Sequence, residues 1–383
     1  MIADKSRLIS SIVFFLVITQ LFKEPIFNIR VDLLGLSLGC IFIISVVYEK
    51  ILQREFWQIS KYFLPFLIVS LLVNLGWSIK DQDISYLSHS ILHLSIFLFI
   101  SLIINLVINY KETFIKSLFW SILSASIILI FSFLFFSRGE YDDLFFNNRN
   151  QLGRTALTMA SISSFLFFGY KETINSKHLK YILITILSVC IMLSWYSLSR
   201  SVIVGSVLLV LILVFFDIKI AFASAILALF LLAGTYTLNQ AGVQRIKDNL
   251  HYRFIKEKGA DDKLLGRGYS RLIEYPKYLF IGAGEHKQSR FNDEFEFHSS
   301  FGNILFAYGI AGLLALMWFL YKTVFPVRKL HLFLLPIFFY GLFHNDIRNV
   351  FFWILICLII LSKDLVLQYG KSIRNPELLN NIL

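Results

Sequence analysis

Residues 86–108 read YLSHSILHLSIFLFISLIINLVI, a run without a single aspartate, glutamate, lysine or arginine. About 20 apolar residues in helical form cross the roughly 30 Å hydrocarbon layer of a bilayer, so this run is long enough to span one. It lacks the period-two alternation that a membrane barrel strand requires, which leaves the helix. Similar runs lie on both sides of it, at about 8–22, 31–48, 62–79, 113–137, 152–170, 179–196, 200–216, 218–236, 299–320, 330–345 and 350–367. The composition agrees: 57% of the 383 residues are hydrophobic and 16% charged, with a mean hydropathy of +0.70. Ordinary soluble domains carry about a quarter charged residues. The expected fold is therefore an all-α polytopic membrane protein of about 12 transmembrane helices.

One polar stretch interrupts the pattern. It divides the chain into helices 1–9 over residues 1–237, a large loop over 238–297, and helices 10–12 with a tail over 298–383. Lysine and arginine placement in the short connections sets the expected orientation. With the N-terminus inside, 17 basic residues fall in inside segments and 8 in the short outside ones, so both termini are expected in the cytoplasm and the large loop outside. The first apolar run follows Lys5 and Arg7 without a small-residue cleavage site and reads as a spanning helix rather than a cleaved signal. The net charge of +11 follows from this bias and from anionic lipid, and implies no nucleic acid partner. Cys40, Cys190 and Cys357 all sit inside apolar runs and read as small core residues.

The large loop mixes eleven lysines and arginines with acids and aromatics. Ile246, Leu250, Phe254 and Ile255 recur at helical spacing, and a second amphipathic stretch runs through Tyr269, Leu272, Ile273 and Tyr275 to Pro276. Two short helices against the outer membrane face are expected.

Ionisable groups inside or at the edge of spans are costly to keep and are the first candidates for function. Arg200 follows Ser197-Leu198-Ser199 at the outer end of a span, where a snorkelling interface arginine is the plainer reading. Arg271 precedes Glu274, Pro276 and the glycine turn Ile281-Gly282-Ala283-Gly284-Glu285. Its planar fork suits phosphate oxygens, and the glycines permit close backbone approach. His298 opens the tenth span in Phe297-His298-Ser299-Ser300-Phe301-Gly302-Asn303, followed by Tyr308-Gly309-Ile310-Ala311-Gly312. A histidine there is either an interfacial capping residue or a base at neutral pH. His344, Asn345, Asp346 and Arg348 form the last outer turn, where an Asp–Arg pair also serves simply as a brace. Arg149, Asn150, Gln151 and Arg154 sit at the mouth of the sixth span, suited to an anionic lipid. His89 and His93 have the i, i+4 spacing of metal ligands, but no carboxylate or cysteine nearby completes a set, so no metal is expected.

The order of these features is an outer Ser-Arg opening a span, then a long outer loop with Arg, Pro and Gly-x-Gly, then His-Ser ahead of Gly-Ile-x-Gly-Leu in the next helix. It resembles the O-antigen ligase and O-antigen polymerase superfamily, the Wzy-type polymerases and their ligase relatives. The resemblance is strongest over about 195–320 and extends loosely to the turn His344–Trp353. It implies a GT-C-like glycosyltransferase of the bacterial inner membrane with its active site facing the periplasm and no cofactor. Donor and acceptor would be undecaprenyl-pyrophosphate-linked oligosaccharides, with membrane lipids and a chain-length regulator as partners. By the same resemblance Arg200 and Arg271 contact the donor pyrophosphate and His298 activates the acceptor hydroxyl. Arg149, Arg154, Gly284, Glu285, Ser299, Asn303, Asp346 and Arg348 are the supporting candidates. The family commonly has asparagine where Ser299 stands here. The short loop and the aromatic turn before Trp353 favour a polymerase over a ligase acting on lipid A-core. A transporter or flippase is the rival from another class, set against the lack of two matching halves and the clustering of charge at one face.

Overall fold

The computed structural model describes residues 2–22, 30–135, 146, 149–174, 176, 178–238, 268–285, 288–291, 297–324, 329–345 and 347–374. The helical periodicity read at Ile246–Ile255, and Asp346, lie outside them. The helices are α1 (Ile2–Thr19), α2 (Val31–Ile51), α3 (Leu64–Asp81), α4 (Leu87–Phe135), α5 (Arg149–Ile174), α6 (Leu179–Tyr196), α7 (Arg200–Phe216) and α8 (Ile218–Leu238). After the large loop come the short α9 (Ser270–Glu274) and α10 (Tyr278–Ile281), then α11 (Ser300–Thr323), α12 (Leu335–Phe343) and α13 (Val350–Arg374). No strand occurs among the described residues.

Five helical stretches among the described residues are long and apolar enough to cross a membrane: Val31–Ile51, Ser60–Asp81, Ile84–Phe133, Leu179–Tyr196 and Ser300–Thr323. Arg200–Phe216, Ile218–Gly234, Leu330–Phe343 and Val350–Ser362 are shorter apolar helices. The molecule is a helical, membrane-embedded protein. The 49-residue α4 is continuous in outline but leaves helical geometry at Tyr110 (φ −136°, ψ 39°), so the two apolar runs on either side of Tyr110-Lys111-Glu112 are separate rods. A similar break at Tyr170 ends the apolar part of α5.

Helices in lipid gain little from hydrophobic burial against each other and approach closely where side chains are small. Gly35 and Gly39 form such a stripe on α2; a Cβ on either would fall within 2.2 Å of Thr19 or Leu16 of α1. α5 runs through the centre of the bundle with Thr155, Thr158, Ser161, Ser163 and Ser164 all buried. At one end the bundle carries a second, smaller core of Tyr278, Ala283, Phe291, Phe297 and Phe306, against which Trp77, Tyr269, Leu272 and Tyr275 pack. The amphipathic stretch from Tyr269 to Pro276 therefore folds as the short α9, with Ile273 left exposed and Leu272 turned to the aromatic core. The glycine turn that follows does not lie on the surface. It is drawn in between α3 and α11.

The connections expected on the two sides of the membrane gather at opposite ends. At one end Tyr269 Oη donates to the Leu342 carbonyl, and the Ser300 amide and hydroxyl donate to the His344 carbonyl. At the other, Lys50 reaches Asn109, Ser6 meets Thr113, and Lys180 pairs with Asp217 at 3.3 Å.

Candidate functional site

The site is built on a broken helix. α11 begins at Ser300 with the Ser299 hydroxyl accepting from the Gly302 amide at 3.1 Å, then departs from helical geometry at Gly309 (φ 66°, ψ −174°). Only glycine takes that backbone without strain. Beside the break, the Phe306 and Ala307 carbonyls accept from the Ala283 and Gly284 amides, each at 2.8 Å. The approach is close on both sides. A Cβ on Gly309 would lie 2.5 Å from the Phe280 carbonyl, and one on Gly282 2.6 Å from the Ala307 carbonyl. The Gly-x-Gly thus serves the close backbone approach expected of it, toward α11. Trp77 Nε1 donates to the Gly282 carbonyl at 3.1 Å and completes the lock on the α3 side.

The next residue, Glu285, is thereby carried into the protein, where its side chain is 3% exposed. Tyr308 Oη donates to Oε2 at 2.7 Å, and His93 Nε2 lies 3.1 Å from the same oxygen and 3.0 Å from the tyrosine hydroxyl. Asn303 Nδ2 donates to Oε1 at 2.8 Å and Arg348 to Oε1 at 3.1 Å. Asn74 accepts from the Glu285 amide at 3.1 Å and donates to the Ser90 hydroxyl at 2.9 Å. Five partners from α3, α4, α11 and the turn before α13 converge on one carboxylate and its amide. Burial alone would push this carboxyl up; the hydrogen bond and charge of His93, with the charges of Arg348 and His89, outweigh it and hold the carboxyl well below its ordinary range. A buried carboxylate retained as an anion needs such a set of donors.

Arg290 clamps the outside of the same turn. It donates to Tyr86 Oη at 2.9 Å and to the Ala283 carbonyl, lies 3.7 Å from Asp81, and stacks its guanidinium over Trp77 with 4.5 Å to the ring centroid.

The candidates read from the sequence distribute as follows. Gly284, Glu285, Asn303 and Arg348 come together in this cluster. Ser299 caps α11, and His298, half-buried, stands just before it. Arg271 is 1% exposed, with its guanidinium beside Gly268 and 5.9 Å from the Phe297 ring centroid. The guanidinium is closed off from the surface. Arg200 is exposed at the start of α7, Arg154 is half-buried on α5, and Arg149 is the first residue of α5. α12 packs on α5 and α7 along one side and on α11 along another. At its C-terminal end Tyr340 stacks on His344 at 4.6 Å and donates to the Asn150 carbonyl, and Ser197 just ahead of α7 lies beside Gly153 of α5. Arg200, His298 and Arg271 thus belong to one end of the bundle, and the Glu285 cluster lies beneath that end.

Sequence reasoning missed Asn74, Ser90 and Tyr308, and read His93 only as half of a metal spacing. Among the described residues no group of three metal-ligating side chains forms, and His93 turns to Glu285. The available signal was the presence of Asn74, His93 and Asn303 in otherwise apolar helices. No protein-family model matches the chain, and no curated protein matches it.

Proposed function

We propose that this protein is a polymerase of bacterial surface polysaccharide, of the O-antigen or capsule kind. It joins undecaprenyl-pyrophosphate-linked repeat units at the periplasmic face of the inner membrane, within a fold of twelve spans of GT-C-like character. In the reaction the acceptor sugar hydroxyl attacks the anomeric carbon of the donor while the bond from that carbon to the pyrophosphate oxygen breaks, with inversion. His298 takes the proton lost by the hydroxyl. Arg200 and Arg271 meet the charge that grows on the departing diphosphate, a role for fixed cations in a site that excludes water.

The observation that carries this reading is that the starts of α7 and α11 and the α9 segment lie at one end of the bundle, linked through the start of α5 and the end of α12. The exposed Arg200 makes first contact with the headgroup, and Arg271 follows as the Gly268–Tyr269 turn opens. The test is reconstitution of the purified chain with lipid-linked repeats as sole substrate. A ladder of longer lipid-linked glycans is expected, lost in His298→Ala and Arg200→Ala proteins that remain folded. No transfer until lipid A-core is added would assign the ligase activity. A full-length ladder from both alanine variants would overturn the assignment.

One observation favours a second reading. A broken helix beside a buried glutamate and histidine, with a partly exposed arginine on the same carboxylate, is also how secondary transporters hold substrates and protons. Proton-driven uptake of a lipid-linked or anionic solute into proteoliposomes, absent in Glu285→Gln, would support transport instead.

A further inference from the structure

A cavity of about 460 Å³ lies between the C-terminal half of α3 and α10, at the end of the bundle that carries the aromatic core. Gly76 forms part of its floor, and a Cβ there would meet nothing within 4 Å. Trp77 and Tyr278 stand in its wall, edge to face at 5.7 Å, with the indole fixed by its bond to the Gly282 carbonyl. Lys80 and Lys277 line the same cavity. Their ammonium groups lie 4.0 Å from the Trp77 ring centroid and 5.0 Å from that of Tyr278. A ring face steadies a cation without neutralising it. The nearby carboxylates are engaged elsewhere: Asp81 accepts from Tyr86 and lies beside Arg290, and Asp83 accepts from the Ser85 amide. Among the described residues neither lysine pairs with a carboxylate, Glu274 included.

Toward the middle of the bundle the same face of α3 is apolar. Ile68 and Leu72 are exposed and precede Gly76 and Lys80 at successive four-residue steps, in one row along the helix. From Lys80 to Leu72 the row covers about 12 Å of helix axis. Ile281 of α10, also exposed, lines the cavity beside it. Paired cations above an apolar row match an amphiphile, with its head between the lysines and its chain along Leu72 and Ile68.

We propose that this cavity seats the diphosphate headgroup of a membrane lipid, between Lys80 and Lys277. The charges match. A diphosphate that joins a lipid to a sugar carries two negative charges, whereas a phosphodiester carries one. Lysine ammoniums, with rotatable donors, receive phosphate oxygens without demanding a fixed fork geometry. The cavity also has a place in the reaction proposed above, which joins two lipid-linked chains and has assigned Arg200 and Arg271 to the donor alone. Tyr278 packs on Phe306, Phe306 on Phe297, and Phe297 lies beside Arg271, so the two headgroup sites flank one aromatic core. Naming the bound lipid as the acceptor rests on the polymerase reading; the binding of a lipid diphosphate does not.

Gly76→Cys, in the full chain with its three native cysteines replaced, puts a thiol on the cavity floor where space accepts it. Its alkylation by N-ethylmaleimide in detergent micelles is followed by mass spectrometry. Undecaprenyl diphosphate is expected to slow it about tenfold at roughly ten times its Kd. Phosphatidylglycerol, and inorganic diphosphate without a chain, are expected to protect far less at the same concentration. With Lys80→Gln and Lys277→Gln together the advantage of the diphosphate lipid is expected to disappear, at an unchanged melting temperature. Leu72→Cys, one turn deeper, is a second reporter that the lipid is expected to shield and inorganic diphosphate to leave open. Equal protection by phosphatidylglycerol or by inorganic diphosphate, no protection at either position, or full protection in the double glutamine protein would each overturn the proposal. Protection that holds while His298→Ala transfers glycan at full rate keeps this site and drops the polymerase reading. The reverse pattern drops this site alone.

Discussion

Glu285 gathers partners that lie far from it along the chain: Asn74, which accepts from its amide, and His93, Asn303, Tyr308 and Arg348 at its carboxylate. Removing a carboxylate from such a set leaves Arg348 and His93 facing a cavity, and breaking one side of a buried ion pair costs about 3–5 kcal/mol. Glu285→Ala is expected to lose that much stability in a denaturant series in detergent. Glu285→Gln keeps the shape and an acceptor for Asn303, and is expected to lose about 1–3 kcal/mol. The same residue sets an acid limit. Its carboxyl is held below the ordinary value, so its stabilisation is fully present above the unfolded value of about 4.3 and is lost as pH falls through the folded one. The wild-type midpoint is expected to fall more steeply than that of Glu285→Gln below about pH 4. Parallel curves for the two proteins would show that the carboxyl is not held as an anion. Little of this cluster was legible beforehand. Glu285 was visible beside its glycines and Arg348 in its turn, but the pairing spans 63 residues, and no local pattern encodes which of the loop's several acids is buried.

The elements were legible to different depths. Each apolar run coincides with a helix, though α1 begins six residues before the run at 8–22 and α13 extends seven beyond the run at 350–367, and Tyr110-Lys111-Glu112 marked the division of α4 because charge does not continue inside a hydrocarbon layer. The break in α11 was hidden. Tyr308-Gly309-Ile310-Ala311-Gly312 reads only as the glycine spacing that follows His298, and nothing nearby in the sequence announces that the Ala283 and Gly284 amides will donate to the Phe306 and Ala307 carbonyls. The break is therefore a property of two elements and should fail when either is altered. Gly309→Ala forces a Cβ to 2.5 Å from the Phe280 carbonyl at a backbone angle alanine rarely takes. A loss of more than about 1 kcal/mol is expected, since an incompatible positive φ outweighs the entropy gained in the unfolded chain. Gly76→Ala, on α3 with open space around it, is the control and should be nearly neutral. A Gly309→Ala protein as stable as that control would mean that the helix straightens without cost.

At the scale of the whole molecule, sidedness decides whether the cluster and its overlying arginines can serve an extracellular glycan. Among the described residues the basic connections at Lys50, Lys111 and Lys180 lie at the end opposite Tyr269 and Ser300, and the charge bias of the sequence expects that basic end to be inside. Gln82 sits exposed at the end that carries Arg290 and the aromatic core, two residues from the Ile84–Tyr86 turn. Glu172 sits exposed at the end of α5 near Tyr170, whose ring lies under Lys111 in the connection that divides α4. Single cysteines at these two positions, in a chain whose three native cysteines are replaced, give a direct reading with a membrane-impermeant maleimide. Gln82→Cys is expected to react in right-side-out vesicles and to be shielded in inverted ones. Glu172→Cys should behave in the opposite way. Reaction of both from one side would break the bundle's assignment of ends. A clean reversal would keep the fold but face Arg200, Arg271 and His298 toward the cytoplasm, where lipid-linked repeats are built rather than joined, and the polymerase reading would fall with it.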